Sequence, residues 1–266
     1  MYEGVTVLDF DHSYQWQSFL NEQAVEWIDL SDLPGTKRYC SLETLAVIRR
    51  RLGRRRRRGV TLIGSGSYHY VTYLLLAEIE TPFSLVLFDY HTDMIESPDE
   101  SLITCGSWVL KALAELPMLK QVVIVGARSD AAKAIPPAFG PELRRKVSIF
   151  GPVTGENAKI ILPAVMSRLT TRDVYISVDK DVLDPADAVT DWEQGSMKLD
   201  VVTELIRFIA SRRTLRGADI CGEYPVSPVE RYSPAHRAAA RINQRANRLL
   251  LEAFRSADRS WLPLTS

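Results

Sequence analysis

Two short acidic segments carry residue types that can do chemistry together. Asp89-Tyr90-His91-Thr92-Asp93 follows the apolar run Ser84-Leu85-Val86-Leu87-Phe88, and Asp179-Lys180-Asp181 follows Val174-Tyr175-Ile176-Ser177-Val178. In an extended chain, residues two and four apart point to one side. Asp89, His91 and Asp93 can therefore converge, and Asp179 and Asp181 face one way. A third apolar run, residues 60–63, leads through Gly64-Ser65-Gly66-Ser67-Tyr68 to His69. Crowded carboxylates raise one another's pKa, and a multivalent cation removes that conflict. Oxygen donors with imidazole suit Mn²⁺ and comparable divalent ions. Two such ions roughly 3.5–4 Å apart can share a water and produce hydroxide near neutral pH. Carboxylates bridging both ions would let few histidines serve two metals, and the chain has only four. One D-x-H-x-D alone reads as loop chemistry or helix capping. Two clusters with the same alternate spacing, both at strand ends, point to a metal site.

These segments need elements to hold them. Apolar and β-branched runs recur at residues 5–10, 25–30, 60–63, 84–88, 121–125, 147–150, 174–178 and 215–221. Helical spacing lies between them at 41–52, 70–78, 106–116, 157–169, 199–211 and 235–254. Near-continuous apolar runs are the pattern of strands buried on both faces of a parallel sheet. Their alternation with helices predicts an α/β chain with helices on both faces and a ligand beyond the carboxyl ends of the strands. There is no internal repeat or long linker, and the richest loop stretch, 134–141, is too short to divide domains. One domain over 1–266 is expected.

Composition narrows the function classes. Lys and Arg total 33 and Asp and Glu total 33, so no net charge draws the chain to nucleic acid or to an anionic membrane. Residues 49–58 contain eight arginines without interleaved aromatics. That run reads as a solvated helix end, with charge pairing in a homo-oligomer as a second reading. Cys40, Cys105 and Cys221 are odd in number and far apart, which suits a reducing cytoplasm rather than a disulfide framework. No signal peptide is evident, and no apolar stretch approaches the ~18 residues of a membrane span. Nucleic acid and membrane are thus not expected as partners, and no P-loop, G-x-S-x-G or C-x-x-C is found.

The quoted residues resemble the ureohydrolase family of arginases and agmatinases. That family's D-A-H-x-D motif is similar to Asp89–Asp93, and its S-x-D-x-D-x-x-D-P motif matches Ser177 to Pro185 at every specified position. Its G-G-D-H-S motif is loosely matched by Gly66-Ser67-Tyr68-His69-Tyr70, and the similarity runs from about residue 60 to 225. The resemblance implies a three-layer α/β/α arginase-like fold with a mostly parallel sheet of about eight strands. It implies two Mn²⁺, with Ni²⁺ or Zn²⁺ as substitutes. His69, Asp89, Asp93 and Asp179 would hold one ion, and Asp89, His91, Asp179 and Asp181 the other. Asp93 would be catalytic, accepting a hydrogen bond from the bridging hydroxide. Attack on a guanidinium carbon would release urea and an amine, from a small-molecule or peptidyl guanidino substrate.

Some positions depart from the family pattern. Tyr68 stands where the family has Asp, and Cys105-Gly106 where it has His-Gly with a proposed proton-shuttle His. The family's D-x-x-E-x-N-P segment corresponds to Asp219-Ile220-Cys221-Gly222-Glu223-Tyr224-Pro225, so Glu223 lies one place late. Glu223 is expected to pair with the substrate guanidinium if the strand has ended or bulged there; otherwise it is a surface or capping residue. Trp192 is expected to form a pocket wall over a planar guanidinium, or to be buried for structure. Two other functions remain open: an amide deacylase of the same fold, and a non-catalytic metal-binding relative.

Overall fold

The apolar runs become strands because Val, Ile and Leu fit a pleated surface buried on both faces. In this computed structural model the described residues are 4–131, 136, 140–225, 229 and 232–256; most of the 134–141 stretch lies outside them. In chain order the elements are β1 (Val5–Asp9), β2 (Val25–Asp29), β3 (Tyr39–Ser41), α1 (Leu42–Leu52), β4 (Val60–Gly64), α2 (Thr72–Leu76), β5 (Phe83–Phe88) and β6 (Leu102–Thr104). They continue with α3 (Trp108–Glu115), β7 (Leu119–Val125), α4 (Pro141–Arg145), β8 (Val147–Phe150), α5 (Ala158–Arg168), β9 (Asp173–Asp179), α6 (Leu199–Ala210), β10 (Thr214–Cys221) and α7 (Pro234–Arg255).

Eight strands form one sheet in the order β2-β1-β4-β10-β9-β5-β7-β8. Every pairing in it is parallel. Strand alternation divides its side chains between two cores. Val86, Phe88, Val123, Val125, Val174 and Ile176 pack on the side of α5, α6 and α7. Leu85, Leu87, Val122, Ile124 and Tyr175 pack on the side of α1, α2 and α3. Two cores separated by one sheet make the three-layer α/β/α arrangement that the alternation predicts. Each fully buried aliphatic side chain contributes roughly 1.5–3 kcal/mol of transfer free energy. Among the described residues no helix is long and apolar enough to cross a membrane.

The register positions the chemistry. Phe88 is level with Val178, and Cys221 is level with both Asp179 and Gly64. The carboxyl ends of β4, β10, β9 and β5 therefore lie side by side at the middle of the sheet. The next residues along the chain are the candidate ligands.

Two local features were not expected. The helical pattern at 70–78 begins earlier, as a 3₁₀ turn over Gly66–Val71, because the Ser65 hydroxyl accepts from the Ser67 N–H and starts the turn. His69 is thus on a tight turn ahead of α2. The ribbon of β3 and β6, antiparallel with Cys40 opposite Ile103, escapes sequence reading because each strand is only three residues long.

Gly126, just past β7, shows how tightly the loops at this end are packed. Its φ is +101°, and a Cβ there would lie 2.1 Å from Val182 Cγ2 and 2.9 Å from Met197 Sδ. Gly126→Ala combines left-handed strain of roughly 1–3 kcal/mol with overpacking of similar size. A loss of about 3 kcal/mol in unfolding free energy is expected from urea denaturation. A loss below about 1 kcal/mol would show that Val182 and Met197 yield easily.

Candidate metal centre

Asp89 is the first residue beyond β5, and its N–H still donates to Val125 O at 3.2 Å. Its Oδ1 then accepts the N–H of His91 at 2.6 Å, turning the chain. Asp93 follows with φ +51°, a left-handed conformation uncommon outside glycine. Asp89, His91 and Asp93 do converge, but through this side-chain-stabilised turn and one strained residue rather than through an extended strand. Asp179 ends β9 in the same manner: its Oδ1 accepts the Asp181 N–H at 3.0 Å, and Lys180–Val182 form a 3₁₀ turn.

The six side chains meet below a cavity. His69 Nδ1 lies 3.1 Å from Asp93 Oδ2, 3.4 Å from Asp179 Oδ2 and 3.5 Å from Asp89 Oδ2. His91 Nδ1 lies 2.8 Å from Asp181 Oδ2 and 3.7 Å from Asp89 Oδ1. Donor atoms of His69, Asp89 and Asp93 fall within 4.8 Å of one another, as do those of Asp89, His91 and Asp181. Asp89 belongs to both groups. A third such group joins His69 and Asp179 to Cys221, whose thiol donates to Asp179 Oδ2 at 3.1 Å. Sequence reading assigned Cys221 no part; its place level with Asp179 comes only from strand pairing.

A surrounding layer of polar groups orients the six. The Ser177 hydroxyl donates to Asp219 Oδ1 at 2.6 Å, so it must accept from His69 Nε2 at 2.9 Å. That commits the Nε2–H to Ser177 and turns Nδ1 toward the carboxylates, as a donor to Asp93 without metal and as a lone pair toward an ion. Tyr175 OH donates to the other oxygen of Asp219 at 2.9 Å. Trp108 Nε1 donates to Asp93 Oδ2 at 2.5 Å, and the Tyr90 N–H donates to Asp181 Oδ1 at 3.1 Å. Ser177 and Asp219 are motif positions in the sequence, but Trp108 carries no sequence signal beyond helical spacing.

The electrostatics of the cluster call for a cation. Burial and then the charges of Asp181, Asp93 and Asp179 push the Asp89 pKa well above the carboxylate range. Burial and the Asp181 charge raise Asp179 as well. Burial opposes a charge on His69, yet its hydrogen bond to Asp93 and the surrounding carboxylates win, raising it to about 10. The same contest at His91, won by Asp181 and Asp89, raises it to about 12. Imidazoles driven this hard toward the cationic form mark a region short of positive charge. The donor set, four carboxylates with two imidazoles, fits divalent ions that accept oxygen and nitrogen.

The cavity above the cluster has a volume of about 820 Å³, and Arg38, Tyr39, Cys105, Arg128 and Trp192 are among the residues lining it. Trp192 lines this cavity, with its ring edge-on to His91 at 6.1 Å between centroids. Cys105 also faces the cavity, but burial and the nearby Asp93 and Asp179 push its thiol up to about 12. Without metal it is a neutral thiol near pH 7.

Glu223 does not line the cavity. Position 222, where the expected Glu would fall, is a glycine at φ +84° whose Cβ would lie 2.5 Å from Asp179 Oδ1. No side chain fits between that backbone and the cluster, and the next residue turns away from it. Glu223 is instead buried against the ammonium group of Lys180 and accepts from Asn247 at 2.7 Å, Gln17 at 2.9 Å and Asn243 at 3.2 Å. The structure thus places the Glu223 carboxylate against a buried cation rather than on the cavity wall.

The sequence profile described as the arginase family matches residues 4–246. An uncharacterized protein of Thermotoga maritima is 33% identical over 219 residues, covering 82% of this chain and 79% of its own. Among solved structures, proclavaminate amidino hydrolase of Streptomyces clavuligerus superposes with a TM-score of 0.65 at 17% identity, covering 95% of this chain and 91% of its own. Agmatine ureohydrolase of Thermoplasma volcanium gives 0.61 at 19% identity, covering 96% and 90%. Likeness at these identities establishes the fold.

The buried pair gives this subsection its test. Glu223→Ala leaves the Lys180 ammonium buried with no counter-charge and only the Asn247 amide oxygen as partner, which costs roughly 3–5 kcal/mol. Urea denaturation should show a loss of that size, and a change below about 1 kcal/mol would mean that Lys180 finds another partner or reaches water.

Proposed function

The chain belongs to the arginase family, and on that premise we propose that it is a binuclear manganese-dependent hydrolase that cleaves a guanidino C–N bond to urea and an amine. The observation that supports this best is the convergence of two imidazoles and four carboxylates at one cavity, with Asp89 shared between the His69 and His91 groups. In this reading His69, Asp89, Asp93 and Asp179 hold one ion, and Asp89, His91, Asp179 and Asp181 hold the other. When bound, such ions supply a nucleophile at neutral pH by lowering the pKa of water.

The chain's own groups do the rest. The Asp219–Ser177 pair keeps the His69 Nδ1 lone pair aimed at the cluster. Trp108 holds the Asp93 carboxylate in place, so Asp93 can take a proton from the attacking water and pass it to the leaving nitrogen. Hydroxide attack on the guanidino carbon gives a tetrahedral species, and collapse expels the amine. The three free cysteines accord with a cytoplasmic setting.

The reading is tested by a urea-release screen of the Mn²⁺-loaded protein over arginine, agmatine, 4-guanidinobutanoate, guanidine and arginine-containing peptides. Urea from none of them would overturn it; amine release from acyl substrates instead would favour a deacylase. Loss of a partner that merely orients a ligand costs ~10–100-fold, so Asp181→Ala should lower urea release at least ~100-fold. Its bound metal should also fall, as read by elemental analysis of the purified chain. Unchanged metal content would remove Asp181 from the ligand set. Chelation of the wild-type protein should lower its melting temperature and Mn²⁺ should restore it, because binding to the folded state alone stabilises it.

A further inference from the structure

The cavity wall holds a cation that the reaction described above does not use. Arg38 lies just before β3 with φ +67°, a conformation strained for a long side chain. Its backbone is clamped on both sides: its N–H donates to Ser67 O at 3.0 Å, and its carbonyl accepts from Cys105 N at 3.0 Å. One clamp is the turn that carries His69, and the other is the loop leading into α3. The Arg38 guanidinium lies over the Trp192 ring, 4.8 Å from its centroid. Trp192 in turn is 6.1 Å from His91, between ring centroids. The guanidinium therefore sits within a small molecule's length of the candidate metal centre, over the Trp192 ring. It forms no ion pair among the described residues. Arg128, the other arginine on the wall, is tied to Asp130 at 2.5 Å and to Glu193 at 3.3 Å.

We propose that Arg38 is a specificity residue that binds a carboxylate at the end of the substrate remote from its guanidino group, so that the enzyme acts on short guanidino acids. This rests on the guanidino-hydrolase reading and narrows it. A stacked guanidinium presents parallel N–H donors that match a carboxylate bidentately, and stacking on Trp192 pre-pays the ordering of a flexible side chain. The same charge repels a substrate ending in an ammonium group, which provides discrimination as well as affinity. Because Arg38 partly covers Trp192, a substrate guanidinium does not need that ring face. It belongs deeper, above the carboxylate cluster, where the reaction places it. The opposing candidate on the wall is Glu96, which is exposed and also makes no ion pair among the described residues; it would favour an amine terminus.

4-Guanidinobutanoate and agmatine have nearly the same length and differ in the charge of the remote end, so they separate the two. With the Mn²⁺-loaded full chain, kcat/KM for 4-guanidinobutanoate should exceed that for agmatine at least tenfold. Arg38→Met keeps the apolar stem over Trp192 and removes the charge. It should raise KM for the acid at least tenfold, change kcat less than threefold, and leave agmatine unaffected or improved. Arg38→Lys should recover only part of the loss. Calorimetric binding of 4-guanidinobutanoate to the wild-type and Arg38→Met proteins gives a readout independent of turnover. Agmatine preferred by the wild type, or equal effects of Arg38→Met on both compounds, would overturn the role of Arg38 while leaving the hydrolase reading intact. Absence of urea together with tenfold weaker binding of the acid to Arg38→Met would overturn the reaction and uphold the carboxylate site. Indifferent binding would overturn the site.

Discussion

Four carboxylates crowd the carboxyl ends of adjacent parallel strands, and much of the surrounding structure offsets the cost of that crowding. Carboxylates at hydrogen-bonding distance from the same imidazoles repel one another and lose hydration, which is why Asp89 and Asp179 are pushed toward the neutral form. Part of the cost is met by donors: the backbone N–H groups of His91, Tyr90 and Asp181, the indole of Trp108 and the thiol of Cys221. The remainder is what divalent cations would supply. The strained φ of Asp93 fits the same account, because with this left-handed turn the third carboxylate comes back beside His69.

Lys180 shows how one strand end serves two purposes. The residues flanking it turn toward the cluster, while its own side chain points into the opposite core. There it meets Glu223 and Asn247. The pair ties β9 to β10, and through Asn243 and Asn247 to α7, which covers that face of the sheet. Gly222 allows the backbone of β10 to pass within contact of Asp179, and that same approach denies position 222 a side chain. The closeness that braces the ligand strand thus excludes an acidic residue from the place where the family pattern has one. Arg38 and Trp192 form another part of the same cavity wall.

Much of this was legible in the sequence. The eight strands, their alternation with helices, the acidic residues after two of the runs and the histidine after a third all follow from local pattern, since hydrophobic periodicity and strand-end polarity are written over a few neighbouring residues. The ribbon of β3 and β6 and the 3₁₀ turn at His69 were not legible, because three-residue strands and a serine-started turn carry almost no periodic signal. Nor was Trp108, whose helical spacing is the same for a core indole and for one that donates to a ligand.

By itself the sequence determined the donor set: which imidazoles and carboxylates exist, at what spacing, and at the ends of which strands. Tertiary structure alone decided how they are used. Strand order put β10 between β4 and β9, so Cys221 came to lie beside Asp179 and Glu223 was drawn to Lys180 instead of the cavity. It also brought Arg38, on a loop far from either motif, onto Trp192. The reason is physical. Side-chain type and local period are properties of a short segment, whereas the partner that neutralises a buried charge is chosen by packing between segments distant in the chain.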